Sequence, residues 1–183
     1  TTPLFLGADP ASSPLLGPHP LRPLAGVEDL ARELTRSLNA DQRQLAIVSP
    51  RAPTDLIGGN RPSLTDGDQP MALTRIWRRQ FEGEIGARLQ QAQERLDVAT
   101  GVGAADLEAM SFTHRPKGLA ASGMSAGQRD MLDALLRLYV DRLPDELADE
   151  EAAKFAGGAL DDVHLLWAGG LDPGRPHYYR LHS

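Results

Sequence analysis

The chain has 183 residues, 41% of them hydrophobic and 24% charged, the balance of one soluble globular domain with at most an appended lobe. Zero cysteines exclude disulfide frameworks, thiolate zinc sites and cysteine nucleophiles, and a net charge of -6 argues against a nucleic-acid binder, which must neutralise phosphates. No run reaches the roughly 18 apolar residues of a membrane span and no basic-then-apolar leader opens the sequence, so no membrane partner is expected and the compartment is decided upstream of Thr1.

Thr1-Thr2-Pro3-Leu4-Phe5-Leu6-Gly7 is a short apolar run ended by glycine and predicts a strand. Residues 8–25 carry Pro10, Pro14, Pro18, Pro20 and Pro23, and read as an extended irregular connection. A helix starts near Gly26, where Val27, Leu30, Leu34 and Leu38 lay one apolar stripe. Asn39 with Gln42 opens a second, short helix that Pro50 terminates. Residues 50–70 are loop. Leu73 to about Val98 is the longest periodic segment, with Ile76, Trp77, Phe81, Ile85, Leu89, Ala92 and Leu96 at helical spacing, interrupted by Gly83 and Gly86.

Gly101-Val102-Gly103 ends that segment, and a short helix follows near Ala104–Met110. Ser125 with Gln128 caps the clearest amphipathic helix, marked by Met131, Leu132, Leu135, Leu138 and Tyr139. Pro144 suits a first helical turn, and Leu147 to Phe155 runs on to Gly157-Gly158. Val163–Ala168 and His177–Leu181, separated by Pro173-Gly174, predict an antiparallel hairpin. Period two puts Val163, Leu165 and Trp167 on one face and His164, Leu166 and Ala168 on the other. In the return strand His177, Tyr179 and Leu181 share a face, with Tyr178, Arg180 and His182 opposite.

The hairpin concentrates the chemistry. It holds three of five histidines, two of three tyrosines, one of two tryptophans and Arg180, in a chain only 5% aromatic. Same-face side chains on neighbouring strands come within about 5 Å, so His164 can meet a histidine of the return strand, the geometry of metal sites and acid/base pairs. The same histidines equally serve as half-buried strand residues that satisfy a hydrogen bond. Asp161 and Asp162 are candidate carboxylates to orient a ligating imidazole, or a solvated strand start. Arginine outnumbers lysine 17 to 2, as in a GC-rich bacterial genome, so the Arg75, Arg78 and Arg79 cluster beside Trp77 reads as an exposed helix face. His114 stands in a loop with nothing recognisable around it, and neither Gly58-Gly59-Asn60 nor Gly101-Val102-Gly103 has phosphate-loop spacing. Thr1 leaves open an N-terminal threonine hydrolase, in which the α-amine is the base.

Several motifs resemble a known bacterial family: Thr2 to Pro10, Ser37-Leu38-Asn39-Ala40-Asp41-Gln42-Arg43, Pro53 to Asn60, Met124 to Arg129, Arg142-Leu143-Pro144, His164 to Gly170 and Pro176-His177-Tyr178-Tyr179-Arg180. In that order they are similar to domain of unknown function 3500. The resemblance covers most of the chain except about residues 68–115, which read as a helical insertion. It implies family members that are longer at both ends, with a histidine-rich strand before Thr1 and further strand and histidine motifs after Ser183. The partner is then the remainder of a larger α+β domain, and a shared site would join His164, His177 and Arg180 to residues outside this chain. His182 departs from the family pattern.

The expectation is an α+β fold: a lobe of about five helices beside a small antiparallel sheet that includes the C-terminal hairpin. The leading functional expectation is a divalent transition metal at His164 and His177, with Trp167, Tyr179 and Arg180 around it. The alternative is a non-catalytic interaction module presenting the 73–98 helix.

Overall fold

The computed structural model describes residues 6–8, 10–14, 19–55, 59, 61–77 and 79–183. Arg78 and, of the expected opening strand, Thr1 to Phe5 lie outside the described residues. Helix α1 (Ala25–Ser37) buries Val27 and Leu34 of the expected stripe, with Leu38 just past its end; Leu30 is only half-buried, and Ala31 is buried in addition. Helix α2 (Ala40–Ala46) and helix α5 (Ala126–Val140) each begin with a capping box, Asn39 with Gln42 and Ser125 with Gln128. The two boxes interlock. Gln42 and Gln128 exchange amide hydrogen bonds of 3.0 and 3.1 Å, and Gln128 Nε2 also donates to the Ser37 carbonyl at 2.9 Å. One pair of side chains thus ties the end of α1 to the starts of α2 and α5.

Helix α4 (Ala104–Met110) and helix α6 (Asp145–Ala153) also form where expected. Helix α3 differs: it spans Gly83–Thr100, not 73–98. Gly83 takes a left-handed φ of +61°, which no continuous helix passes through, so the helix cannot extend back through it toward Leu73. There Trp77 meets Phe81 edge to face with ring centres 6.0 Å apart, and the Arg79 guanidinium lies 4.7 Å above the Phe81 ring. Among the described residues no helix is long and apolar enough to cross a membrane.

The sheet is built around strand β3 (His164–Gly169), which pairs along its whole length with antiparallel β4 (His177–His182). Its other edge is shared end to end. Strand β2 (Leu119–Ala120) pairs antiparallel with His164 and Leu165, and strand β1 (Ile47–Ser49) runs parallel beside Trp167 and Ala168. The α+β expectation holds, but the sheet is mixed rather than antiparallel. Strands β1 and β2 are too short to show an alternating pattern, which is why the sequence reading passes over them.

Strand β3 is buried on both faces except at His164. One face, Leu165 and Trp167 with Tyr179 and Leu181 beside them, packs under α1 and α5 through Leu34, Leu132, Leu135 and Leu136. The other face places Ala168 and Tyr178 against Met110, Val102 and Phe112. The segment around α4 therefore completes the core, whereas α3 has no buried residue. Among the described residues no strand pairs with the outer edge of β4.

Candidate functional site

A cleft of about 730 Å³ follows that unpaired edge. Its helical wall comes from Leu136, Val140 and Leu143 at the end of α5 and Phe155 beyond α6; Leu24, Val27 and Leu64 close it elsewhere. Its polar groups are few: Glu28, Glu151, His177, Arg180 and the phenols of Tyr139, Tyr178 and Tyr179. Both acids are already engaged. Glu28 takes Arg32 at 2.6 Å and Arg22 at 3.0 Å, and Glu151 pairs with Lys154. Burial pushes the Glu28 carboxyl up, but the two guanidiniums outweigh it and hold it below the usual carboxylate range.

Three rings stack at the sheet face of the cleft. Trp167 lies nearly parallel to His177, with centres 5.0 Å apart, and to Tyr179 at 6.0 Å. The stack follows from the register, in which Trp167 faces Tyr179 directly and His177 lies one position along the same face. The Tyr179 hydroxyl meets the Tyr139 hydroxyl in a short hydrogen bond. Burial raises both phenols above their ordinary range, Tyr179 further because Tyr139 adds to the effect. Tyr139 is legible in the sequence only as the end of an apolar stripe. What marks it is the hydroxyl, which a buried tyrosine must partner.

The register does not bring His164 and His177 together. They stand at opposite ends of the hairpin and on opposite faces, since His164 faces His182 and His177 faces Gly169. The two histidines therefore do not join in one site through this register. His177 Nδ1 lies 3.1 Å from the Arg175 carbonyl, and His164 Nδ1 lies 2.9 Å from the backbone carbonyl of Asp162, not its carboxylate. Asp161 pairs with Arg129 instead. Among the described residues no group of three or more histidine, aspartate or glutamate side chains is arranged to hold a metal ion.

Arg180 has a local task. Its guanidinium reaches the carbonyls of Met110 and Ser111 at 3.4 and 3.5 Å, while Lys117 Nζ donates to the Glu108 carbonyl at 2.9 Å. Two cations thus meet the carbonyl end of α4, where the helix dipole favours positive charge. His114, read from the sequence as isolated, is not. Its Nδ1 lies 2.7 Å from Asp66 Oδ1, and Phe112 contacts both its ring and that of His182.

His182 has a buried Nδ1 with no hydrogen-bond partner among the described residues. Burial first, then the charges of Arg180, His164 and His114, push its pKa below the usual imidazole value. The folded state therefore binds fewer protons than the unfolded chain. Stability from this group is complete above the unfolded value near 6.5 and falls as pH drops from there toward the lower folded value. The urea midpoint should fall between pH 7.5 and 5.5 more steeply in the native chain than in His182→Gln. Equal slopes would remove His182 as the cause.

Neither curated proteins nor solved structures contain a match to this chain. A family model described as a protein of unknown function, DUF3500, matches residues 1–183. The match takes in the helical segment at 68–115 as well as the hairpin motifs, and the chain belongs to the DUF3500 family.

Proposed function

We propose that this domain holds a small organic ligand in the cleft beside β4. The observation that carries the reading is the cleft itself: about 730 Å³, largely apolar walls, and a few convergent polar groups on rigid elements. That size and lining are those of ligand sites, commonly about 300–1,000 Å³. Joint metal binding by His164 and His177 has no comparable support, because the two residues lie at opposite ends of the hairpin and on opposite faces. Ligand-observed NMR with a mixture of small uncharged aromatic compounds tests the proposal. Leu143 is 40% exposed, so Leu143→Trp fills the cleft without disturbing the core. Binding that this substitution abolishes supports the reading, and binding that ignores it, or none, overturns it.

A second reading has its own observation. Ile85, Leu89, Ala92 and Leu96 repeat at spacings of four, three and four on α3, a helix with no buried residue, and Val98 is 85% exposed. That is the seam of a helix awaiting a helical partner. In sedimentation velocity of the native chain mixed with cell-lysate fractions, a species larger than the monomer is expected, and Ile85→Glu with Leu96→Glu should lose it. A native chain that sediments as a monomer with every fraction removes the reading.

A further inference from the structure

The free edge of β4 narrows what the cleft holds, an inference that rests on the cleft being a binding site. Gly170 N–H donates to the Pro176 carbonyl at 3.1 Å, which makes 170 and 176 a hydrogen-bonded pair of the hairpin. Bonding alternates along an antiparallel ladder, so Tyr178, Arg180 and His182 direct their backbone groups at β3. His177, Tyr179 and Leu181 then point their N–H and C=O groups the other way. The far side of β3 agrees. Ala121 N–H donates to the Val163 carbonyl and Leu119 pairs with Leu165, so Val163 and Leu165 serve β2 and the residues between them serve β4. Among the described residues no strand, and no other backbone group, bonds to the outward groups of His177, Tyr179 and Leu181.

The cleft runs along these groups. Every residue from His177 to Leu181 lines it, Tyr178 and Arg180 from one face of the sheet and the other three from the opposite face. A ligand there meets the strand edge itself, and an added strand is the shape that pairs with an edge and reaches both faces. Residues 177–181 span about 14 Å at ~3.4 Å per residue, the length of four or five extended residues. The helical wall offers apolar contact at Leu143 and Phe155, and Glu151 brings the charge of α6, which carries Asp145, Glu146, Asp149, Glu150 and Glu151. The bond from Lys154 to Glu151 is solvent-exposed and therefore weak, so the acidic charge favours a basic ligand. The chain's own Thr1–Phe5, which leads into Leu6 at the cleft, suits the edge less well: Pro3 has no N–H and the segment has no basic side chain. We infer that the cleft takes a short extended peptide with a basic side chain, added as a strand to β4 through the backbone groups of His177, Tyr179 and Leu181.

Amide hydrogen exchange of the whole chain, read residue by residue by NMR, tests this with acetyl-Lys-Val-Thr-Val-amide. Without peptide, Tyr178, Arg180 and His182 should exchange slowly and His177, Tyr179 and Leu181 fast. Peptide at about ten times its Kd should slow the second set about tenfold. The same peptide N-methylated at every residue, with no chain donor left, should bind at least about tenfold weaker, and acetyl-Glu-Val-Thr-Val-amide roughly two- to fivefold weaker. Slow exchange of both sets before peptide is added overturns the inference: the chain's own segment covers the edge if the protection survives dilution, a second copy if dilution removes it. Undiminished binding of the N-methylated or the glutamate peptide also overturns it. No peptide effect, beside aromatic binding that Leu143→Trp abolishes, overturns the inference and leaves the cleft reading standing. Binding of neither peptide nor aromatic compounds overturns both.

Discussion

Gly118→Ala is expected to lower the unfolding free energy by about 3–5 kcal/mol, among the largest effects a single methyl can have. Gly118 holds a φ of +106°, which alanine adopts only with strain. The added Cβ would also run into the backbone of Leu165, against its carbonyl oxygen and 2.7 Å from its carbonyl carbon. Leu165 belongs to the central strand, paired with Leu119 on one side and Leu181 on the other, so it has no room to yield. Relief comes only by lifting β2 off the sheet. Gly127 is the control: nothing lies near its Cβ position and it sits inside α5, so Gly127→Ala should stabilise by about 1 kcal/mol. Urea midpoints of the two variants that agreed with each other would refute the close backbone approach.

Trp167→Ala is the second large effect, at about 3–5 kcal/mol from lost burial and the cavity left behind. The side chain is 0% exposed, and its indole N–H donates to the Gly169 carbonyl at 3.2 Å. Its removal unstacks His177 and Tyr179 together, so the floor of the cleft loosens along with the core. Fluorescence separates this from a purely local change. The other tryptophan, Trp77, is 52% exposed, so folded Trp167→Ala should emit only the red-shifted signal of a wet indole. Trp167→Phe keeps a stacking ring and should cost less than half as much. A Trp167→Ala unfolding free energy within about 1 kcal/mol of the native value would refute the burial and cavity account.

The helices were legible wherever their determinants are local. Asn39–Gln42 and Ser125–Gln128 name their helix starts within four residues, and the Val27–Leu34 stripe names a buried face. The start of α3 was not legible, because the apolar spacing runs unbroken through a glycine whose left-handed backbone only the folded chain reveals. Strands β1 and β2 owe their existence to β3, more than 40 residues downstream of either, and carry no pattern of their own. The hairpin and its two faces could be read from alternation, but its register could not. Residues 170–176 permit more than one pairing, and only the actual one sets His182, not His177, on the face of His164. The cleft lay beyond reach for a related reason: its walls come from α1, α5 and β4, which alternation and helical spacing describe one at a time.

The central place of β3 has a consequence for how the protein is made. Every strand that pairs with it on one edge, at residues 47–49 and 119–120, leaves the ribosome earlier and must wait. Until residues 164–169 emerge, α1 and α5 have each other but no sheet to cover, and the apolar side chains of Leu34, Leu132 and Leu136 stay exposed to solvent or to a chaperone. Folding is thereby deferred to the far end of this segment. Any product cut short before residue 164 is a set of helices with no floor, open to proteolysis rather than a smaller stable domain.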